Sequence, residues 1–428
     1  MMLVAPNLKE TFSKLCGNCH TKSDWMELAI ITLLCAFVSL IPFPRLMAPR
    51  QICFYLPILL TAVMLYQKKT VISFRLPITL PFVMFFVWVT ATIFISIDVE
   101  NSTHDIYAYL FAPFVLVIVF ANFFVSEKRF SKLVVLYIIA STIFGMYYMY
   151  HDYVILKLPF GTKLGLTNAW TEIPSNWIGI FTTTGVVLAL TALTEKSNIY
   201  KKMVFFVCML MLIVTSLAVN ANATNLTLLV TGFLLICFHI RKYLIAVSLF
   251  LIVLILLATN MPVRDMLTMS VMQGKVTREL TGSRVPNWER YWEILKDHPI
   301  AGIGFGMESL EQTELRDQYN PLLSPEKRTD FTDPHNMFVS VATRTGFLGL
   351  ALYLSIIITF LYAVLRLAFK GSTPFIKKWG TAVAIAFIAF LIQGQFQPVV
   401  GNSVTDVFYF TIALGMILWR MQQASANN

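Results

Sequence analysis

The chain has 428 residues, of which 57% are hydrophobic and only 13% charged, with a formal net charge of +10. A soluble globular protein carries about 45–50% apolar and ~25% charged residues, so a water-soluble protein is excluded and a polytopic membrane protein is indicated. The positive balance does not call for nucleic acid: Lys and Arg gather in the cytoplasmic loops of inner-membrane proteins generally, and no long basic run is present.

Residues 1–24 are polar and read as a cytoplasmic N-terminal segment without a cleavable signal peptide. Within it, Cys16-Gly-Asn-Cys19-His20 matches the pattern for c-type haem attachment. Haem attachment requires a location outside the cytoplasm, so no haem is expected. The other cysteines, Cys35, Cys53, Cys208 and Cys237, lie in apolar runs and read as small core residues.

A bilayer-crossing helix needs roughly 20 apolar residues. Twelve such runs begin near Trp25, Ile52, Leu76, Ile106, Leu133, Trp177, Met203, Leu226, Tyr243, Phe338, Trp379 and Val407. The expected architecture is therefore all-α, with about 12 transmembrane helices and one long, partly helical loop. Spans one to nine occupy 25–258, the long loop 259–337, spans ten to twelve 338–421, and a cytoplasmic tail 422–428. Basic residues mark every second connection: Lys68, Lys69 and Arg75; Lys128, Arg129 and Lys132; Lys196, Lys201 and Lys202; Arg241 and Lys242; Lys370, Lys377 and Lys378. The intervening loops, such as 98–105 and 220–225, have no Lys or Arg. The positive-inside rule then puts both termini in the cytoplasm and the long loop in the periplasm or exterior. The loop from about His151 to Asn176, with Trp170 and Trp177, reads as an interfacial segment.

The long loop is a polar island in a greasy chain, and such a place is where chemistry concentrates. It carries slightly more Asp and Glu than Lys and Arg, so an anion site there must be made by particular arginines. Gly282-Ser283 reads as a helix start, with Ser283 as N-cap and Pro286 in the first turn. Val285, Trp288, Trp292 and Leu295 then give one apolar face. Arg284 sits where a helix disfavours a cation by roughly 0.3–1 kcal/mol. An Arg beside free backbone N–H groups suits a bound anion such as pyrophosphate; the bland reading is a surface amphipathic helix. The helix should end before His298-Pro299. Gly302, Gly304 and Gly306 follow as G-x-G-x-G without the βαβ setting of a nucleotide site, so they read as a tight loop returning to the membrane. His335, in Asp333-Pro334-His335-Asn336, stands just before the chain re-enters the bilayer. A neutral imidazole there suits removal of a hydroxyl proton; the bland reading is a packing residue. Asp330 and Asp333 lack further ligands at metal spacing, so no metal is expected.

Taken together, Gly282-Ser283-Arg284 with Trp288, then His298-Pro299-Ile300 with the three glycines, then His335-Asn336 followed by Gly346 and Gly349, resemble the O-antigen ligase/polymerase family. The motifs cover roughly residues 282–349, and the span layout extends the likeness over the whole chain. The resemblance implies a GT-C-like inner-membrane glycosyltransferase whose donor is a glycan on undecaprenyl pyrophosphate. It implies catalytic roles for Arg284 and His335, with Trp288 and Asn336 expected to bind substrate. The family often has a further Arg at the start of the eighth span, where this chain has Asn225. That departure leaves two readings: the donor is bound differently, with Arg278 as a compensating charge, or the residue has been altered. Within the family a ligase using lipid A–core as acceptor is expected, with a polymerase or a protein O-oligosaccharyltransferase as alternatives. No cofactor is expected. A lipid-linked sugar flippase would call for ionisable groups inside several spans, and the apolar runs hold few.

Overall fold

Apolar runs of this length leave the backbone no water to bond, so each run satisfies itself as a helix. The computed structural model describes residues 22–159, 175–239, 284–307, 315, 318–319, 334–397 and 403–426, and no strand occurs among them. The helices are α1 (Lys22–Leu40), α2 (Met47–Tyr66), α3 (Thr79–Ala91), α4 (Val99–Asp105), α5 (Ala112–Phe123), α6 (Glu127–Met149), α7 (Ser175–Leu193), α8 (Ile199–Ala218), α9 (Asn222–His239), α10 (Arg284–Asp297), α11 (Met337–Lys370), α12 (Pro374–Gly394) and α13 (Ser403–Ala426). Eight helical stretches among the described residues are long and apolar enough to cross a membrane, and three shorter apolar ones are Trp25–Leu40, Thr79–Ile95 and Asn222–Leu235. The expected ninth span, from Tyr243, lies outside the described residues, as do Cys16, Cys19, Arg278, Asp330 and Asp333.

Local sequence explains where the helices begin. Ser126, Asn198, Thr373 and Asn336 each cap a helix by accepting a backbone N–H from its first turn. The chain's central packing element is α12, which lies against α7, α9, α11 and α13. In lipid, helices associate by close packing rather than by escaping water, and small residues permit it. Gly380, Ala382, Ala384, Ala386 and Ala389 of α12 are all buried.

Several expectations change. The basic-free segment 98–105, read as a loop, is the helix α4: Asp98 caps it by accepting from Asn101 N at 2.9 Å. It runs through a π-helical turn, Ile106–Phe111, straight into α5. The exterior loop read from His151 begins later, because a second π-helical turn, Tyr150–Ile155, prolongs α6. Helix α13 continues to Ala426, through most of the expected tail. Cys35 is buried, whereas Cys53 and Cys208 are only half-buried. A half-buried ion pair joins Arg50 to Asp406 across 3.4 Å, which the apolar pattern of those runs hid.

The loops sort to two ends. At one end Ser73 N bonds Asn122 Oδ1, Ser372 N bonds Gln422 Oε1, Trp379 Nε1 bonds Glu195 Oε1, and Arg129 pairs with Glu27. These are the basic connections. The opposite end gathers 96–105, 299–307, 334–336 and the C-terminus of α12.

At that opposite end α11 is broken. Gly346 has φ +71° and ψ −178°, which splits the helix into 337–345 and 347–370. The second part is about 36 Å long at 1.5 Å per residue, enough for a ~30 Å hydrocarbon core. The break frees the carbonyls of Thr343, Arg344 and Thr345. In lipid each would cost several kcal/mol unpaired. Ile303 N bonds Thr343 O at 3.1 Å, Gly304 N bonds Arg344 O at 3.0 Å, and Trp88 Nε1 bonds Thr345 O at 3.0 Å. Phe347 N in turn bonds Pro299 O at 2.8 Å. Only glycine adopts the Gly346 backbone readily, at a cost of about 1–3 kcal/mol for other residues. A Cβ there would also run into the Ile300 carbonyl. Gly346→Ala should therefore lower thermal stability by at least this amount, measured by unfolding in detergent; an unchanged Tm would mean that the break is not imposed by packing.

Candidate functional site

Helix α10 begins at Arg284 and ends at Asp297, before His298-Pro299 as that dipeptide dictates. One turn into it, the Trp288 indole N–H donates to the Pro334 carbonyl at 2.8 Å. This bond ties the start of α10 to the residue immediately before His335. Four helical residues advance about 6 Å, so the N-terminal end of α10 lies near His335.

His335 stands between buried Pro334 and buried Asn336 and is itself exposed. Its φ is +50°, in the left-handed region. A non-glycine residue there costs of order 1–3 kcal/mol and persists where its surroundings enforce it. Both neighbours are enforced. Pro334 is held by Trp288. Asn336 Oδ1 accepts from Phe338 N at 2.9 Å and Val339 N at 3.2 Å, capping α11, and its Nδ2 donates to Gln395 Oε1 at 3.3 Å. The Asn336 amide is thus committed to orienting the backbone beside the imidazole.

The glycine loop after α10 supports this arrangement from below. Gly302 and Gly304 have φ of +67° and +113°. At Gly302 a Cβ would meet the 343–345 backbone, and at Gly304 it would meet Ser96 and Ser102. The polar side chains of α4 hold the loop's far end: Ser102 Oγ accepts from Gly306 N at 3.0 Å and Asp105 Oδ2 from Met307 N at 2.8 Å. Asp105 Oδ1 also meets His104 Nδ1 at 3.0 Å. Arg344, wholly buried, donates to the Phe305 carbonyl at 2.6 Å and lies 4.8 Å from the centre of the Phe305 ring. These supports were invisible in sequence, because α4 read as a loop and Arg344 as part of an apolar run.

An open apolar groove of about 440 Å³ separates α10 from the first half of α11, lined by Trp288, Tyr291, Trp292, Leu295, Phe338 and Phe347 among others. Three of these belong to the apolar face read from the sequence. Beside the groove, Tyr291, Ile294, Ile303, Leu315 and Tyr319 form a small core, with the Tyr319 hydroxyl donating to Asp297 Oδ2 at 2.8 Å. Burial and the Asp297 carboxylate push the Tyr319 hydroxyl well above its ordinary pKa. Burial lowers the Arg290 pKa.

Asn225 lies in the first turn of α9, with its Oδ1 buried and unpartnered. It joins the His335 region through intermediaries: neighbouring Thr224 packs on Gly179, and the Gly179 carbonyl accepts from Gln393, two residues before Gln395. No group of three His, Cys, Asp or Glu able to hold a metal ion occurs among the described residues.

Residues 204–354 match the family model described as O-antigen ligase. The match takes in α8, α9, the junction of α10 with His335, and the break at Gly346. Over these residues the chain is similar to the O-antigen ligase family. Such proteins are glycosyltransferase-like membrane enzymes acting on lipid-linked glycans, which agrees with the multi-pass helical architecture. No curated protein matches the chain.

The Trp288–Pro334 bond is the link between α10 and the segment carrying His335. Trp288→Phe keeps the aromatic lining of the groove and removes only the N–H. It should cost about 1 kcal/mol of stability and reduce turnover more than substrate binding. Turnover at the wild-type level in that variant would mean that the link between α10 and the His335 segment has no part in activity.

Proposed function

We propose that the chain is an O-antigen ligase. It transfers a finished glycan from undecaprenyl pyrophosphate to a sugar hydroxyl of lipid A–core, at the periplasmic face of the bacterial inner membrane, with both termini cytoplasmic. The observation that carries this reading is the Trp288 bond to Pro334, which joins the helix starting at Arg284 to His335.

The proposed step is a single inverting displacement. The acceptor oxygen forms a bond to the anomeric carbon as the bond from that carbon to the pyrophosphate oxygen breaks. The bonding pair leaves on the pyrophosphate, and the hydroxyl proton passes to the His335 imidazole. Charge gathering on the pyrophosphate is met by Arg284 and by the free N–H groups at the start of α10. Arg278 supplies a further positive charge where Asn225 does not. Lipid pyrophosphate is already a good leaving group, so neither a nucleotide nor a metal is called for. The apolar groove beside Trp288 suits the hydrocarbon of a lipid-linked substrate.

Purified protein given a defined undecaprenyl-pyrophosphate glycan and lipid A–core should form ligated product. Joining of two donor glycans without lipid A–core would instead mark a polymerase. Arg284→Lys should lose most ligation while remaining folded, because an ammonium lacks the planar fork that grips pyrophosphate. Near-normal product from that variant would make Arg284 a surface residue.

A general base works only when neutral, so activity should fall on acidification as the imidazole takes up its proton. His335→Ala and His335→Gln should both lose about 10²–10⁴-fold in turnover, with donor binding and Tm retained. A Gln variant that still ligates well would reduce His335 to a packing residue.

A further inference from the structure

We propose that a buried seam of neutral polar side chains, running from Gln395 beneath Asn336 to Thr224 and Asn225, is a saccharide-binding subsite. This inference rests on the glycosyltransferase reading above, for which it names a second part of the site.

The seam begins at Gln395, which accepts from Asn336 Nδ2, the residue after His335. Two residues earlier, wholly buried Gln393 donates from Nε2 to Thr183 Oγ1 at 2.7 Å and to the Gly179 carbonyl at 3.4 Å. Gly179 is covered by Thr224, whose hydroxyl fills the place a Cβ would take. Asn225 follows. Gln397, two residues beyond Gln395, is 3% exposed. Every member is an amide or a hydroxyl, and none is ionisable.

Four of these side chains carry buried atoms without a hydrogen-bond partner: Gln393 Oε1, Gln397 Nε2, Thr224 Oγ1 and Asn225 Oδ1. Buried polar groups are nearly always paired, and each exception calls for a reason. Two acceptors, one donor and one hydroxyl are the complement of a sugar's hydroxyl groups. A phosphate would call for positive charge, and a lipid chain for none of these groups. The seam touches Asn336, the residue after His335, through Gln395. A sugar held along the seam would extend toward the residue assigned above as the base. Both the first sugar of the donor glycan and the acceptor sugar have this chemistry.

The test uses substitutions whose structural consequences run opposite to their functional ones. Thr224→Val is isosteric and Gln397→Met nearly so, and each removes a polar atom that has no partner in the free protein. Packing alone predicts equal or higher Tm for both, because apolar replacement of an unsatisfied buried group is neutral or stabilising, and it predicts unchanged binding. The subsite predicts the same Tm but about tenfold weaker glycan binding for each, as for one lost hydrogen bond of about 1.4 kcal/mol.

Binding is measured on the purified full chain with two probes. One is undecaprenyl-pyrophosphate glycan, with undecaprenyl pyrophosphate alone as control. The other is delipidated core oligosaccharide. Loss confined to the first probe assigns the seam to the donor glycan, and loss on the second assigns it to the acceptor. Wild-type affinity for both probes in both variants, or no glycan dependence of binding in the wild type, overturns the proposal. If the variants weaken glycan binding while the wild type forms no transfer product, the ligase reading fails and the subsite stands.

Discussion

The break at Gly346 is the constraint from which the site follows. A membrane helix cannot stop and restart in hydrocarbon unless each freed carbonyl is given a donor. Here the donors come from two remote places, the Ile303-Gly304 backbone and the Trp88 indole. Pairing them fixes the loop after α10 against the first half of α11. With that loop fixed, α10 lies alongside residues 337–345, and Trp288 reaches Pro334. The short half-helix thus presents its N-terminus, with His335 just ahead of it, to the groove and to the start of α10. A continuous α11 would offer no freed carbonyls to hold the loop after α10 on its flank.

The polar groups at this end divide their tasks. Asp105, Ser102, Asn336 and Gln395 are spent on backbone or on each other. Arg344 is drawn inward to the Phe305 carbonyl. His335 is exposed at the junction, held in a left-handed backbone by committed neighbours on either side. Such a layout suits a proton acceptor whose position matters: the strain is local, and the surrounding packing sustains it.

Much of this was legible from residue patterns. Long apolar runs marked the helices, His298-Pro299 marked the end of α10, and the spacing of Trp288, Trp292 and Leu295 marked the face that lines the groove. Arg284 and His335 were singled out by chemistry and by likeness to a family, and the structure joins their neighbourhoods through one bond. What was not legible depended on long-range pairing. Segment 98–105 has loop composition, yet it is helical because Asp98 caps it and because Ser102 and Asp105 find partners in the glycine loop some 200 positions away. Gly346 stood out only as part of the family-like pattern, and no local signal announces that the carbonyls before it will be paired by Ile303, Gly304 and Trp88. The burial of Gln393 and Gln397 at the end of α12 likewise depends on contacts far away in the chain.

The most direct measurement of the proposed chemistry is the anomeric configuration of the new glycosidic bond. A donor whose sugar–pyrophosphate linkage is of known configuration is given to the purified protein, and the product linkage is read by nuclear magnetic resonance. One displacement, with His335 taking the proton and the pyrophosphate leaving from the α10 side, predicts inversion at the anomeric carbon. Retention would require two displacements and a covalent glycosyl intermediate, and it would contradict the account.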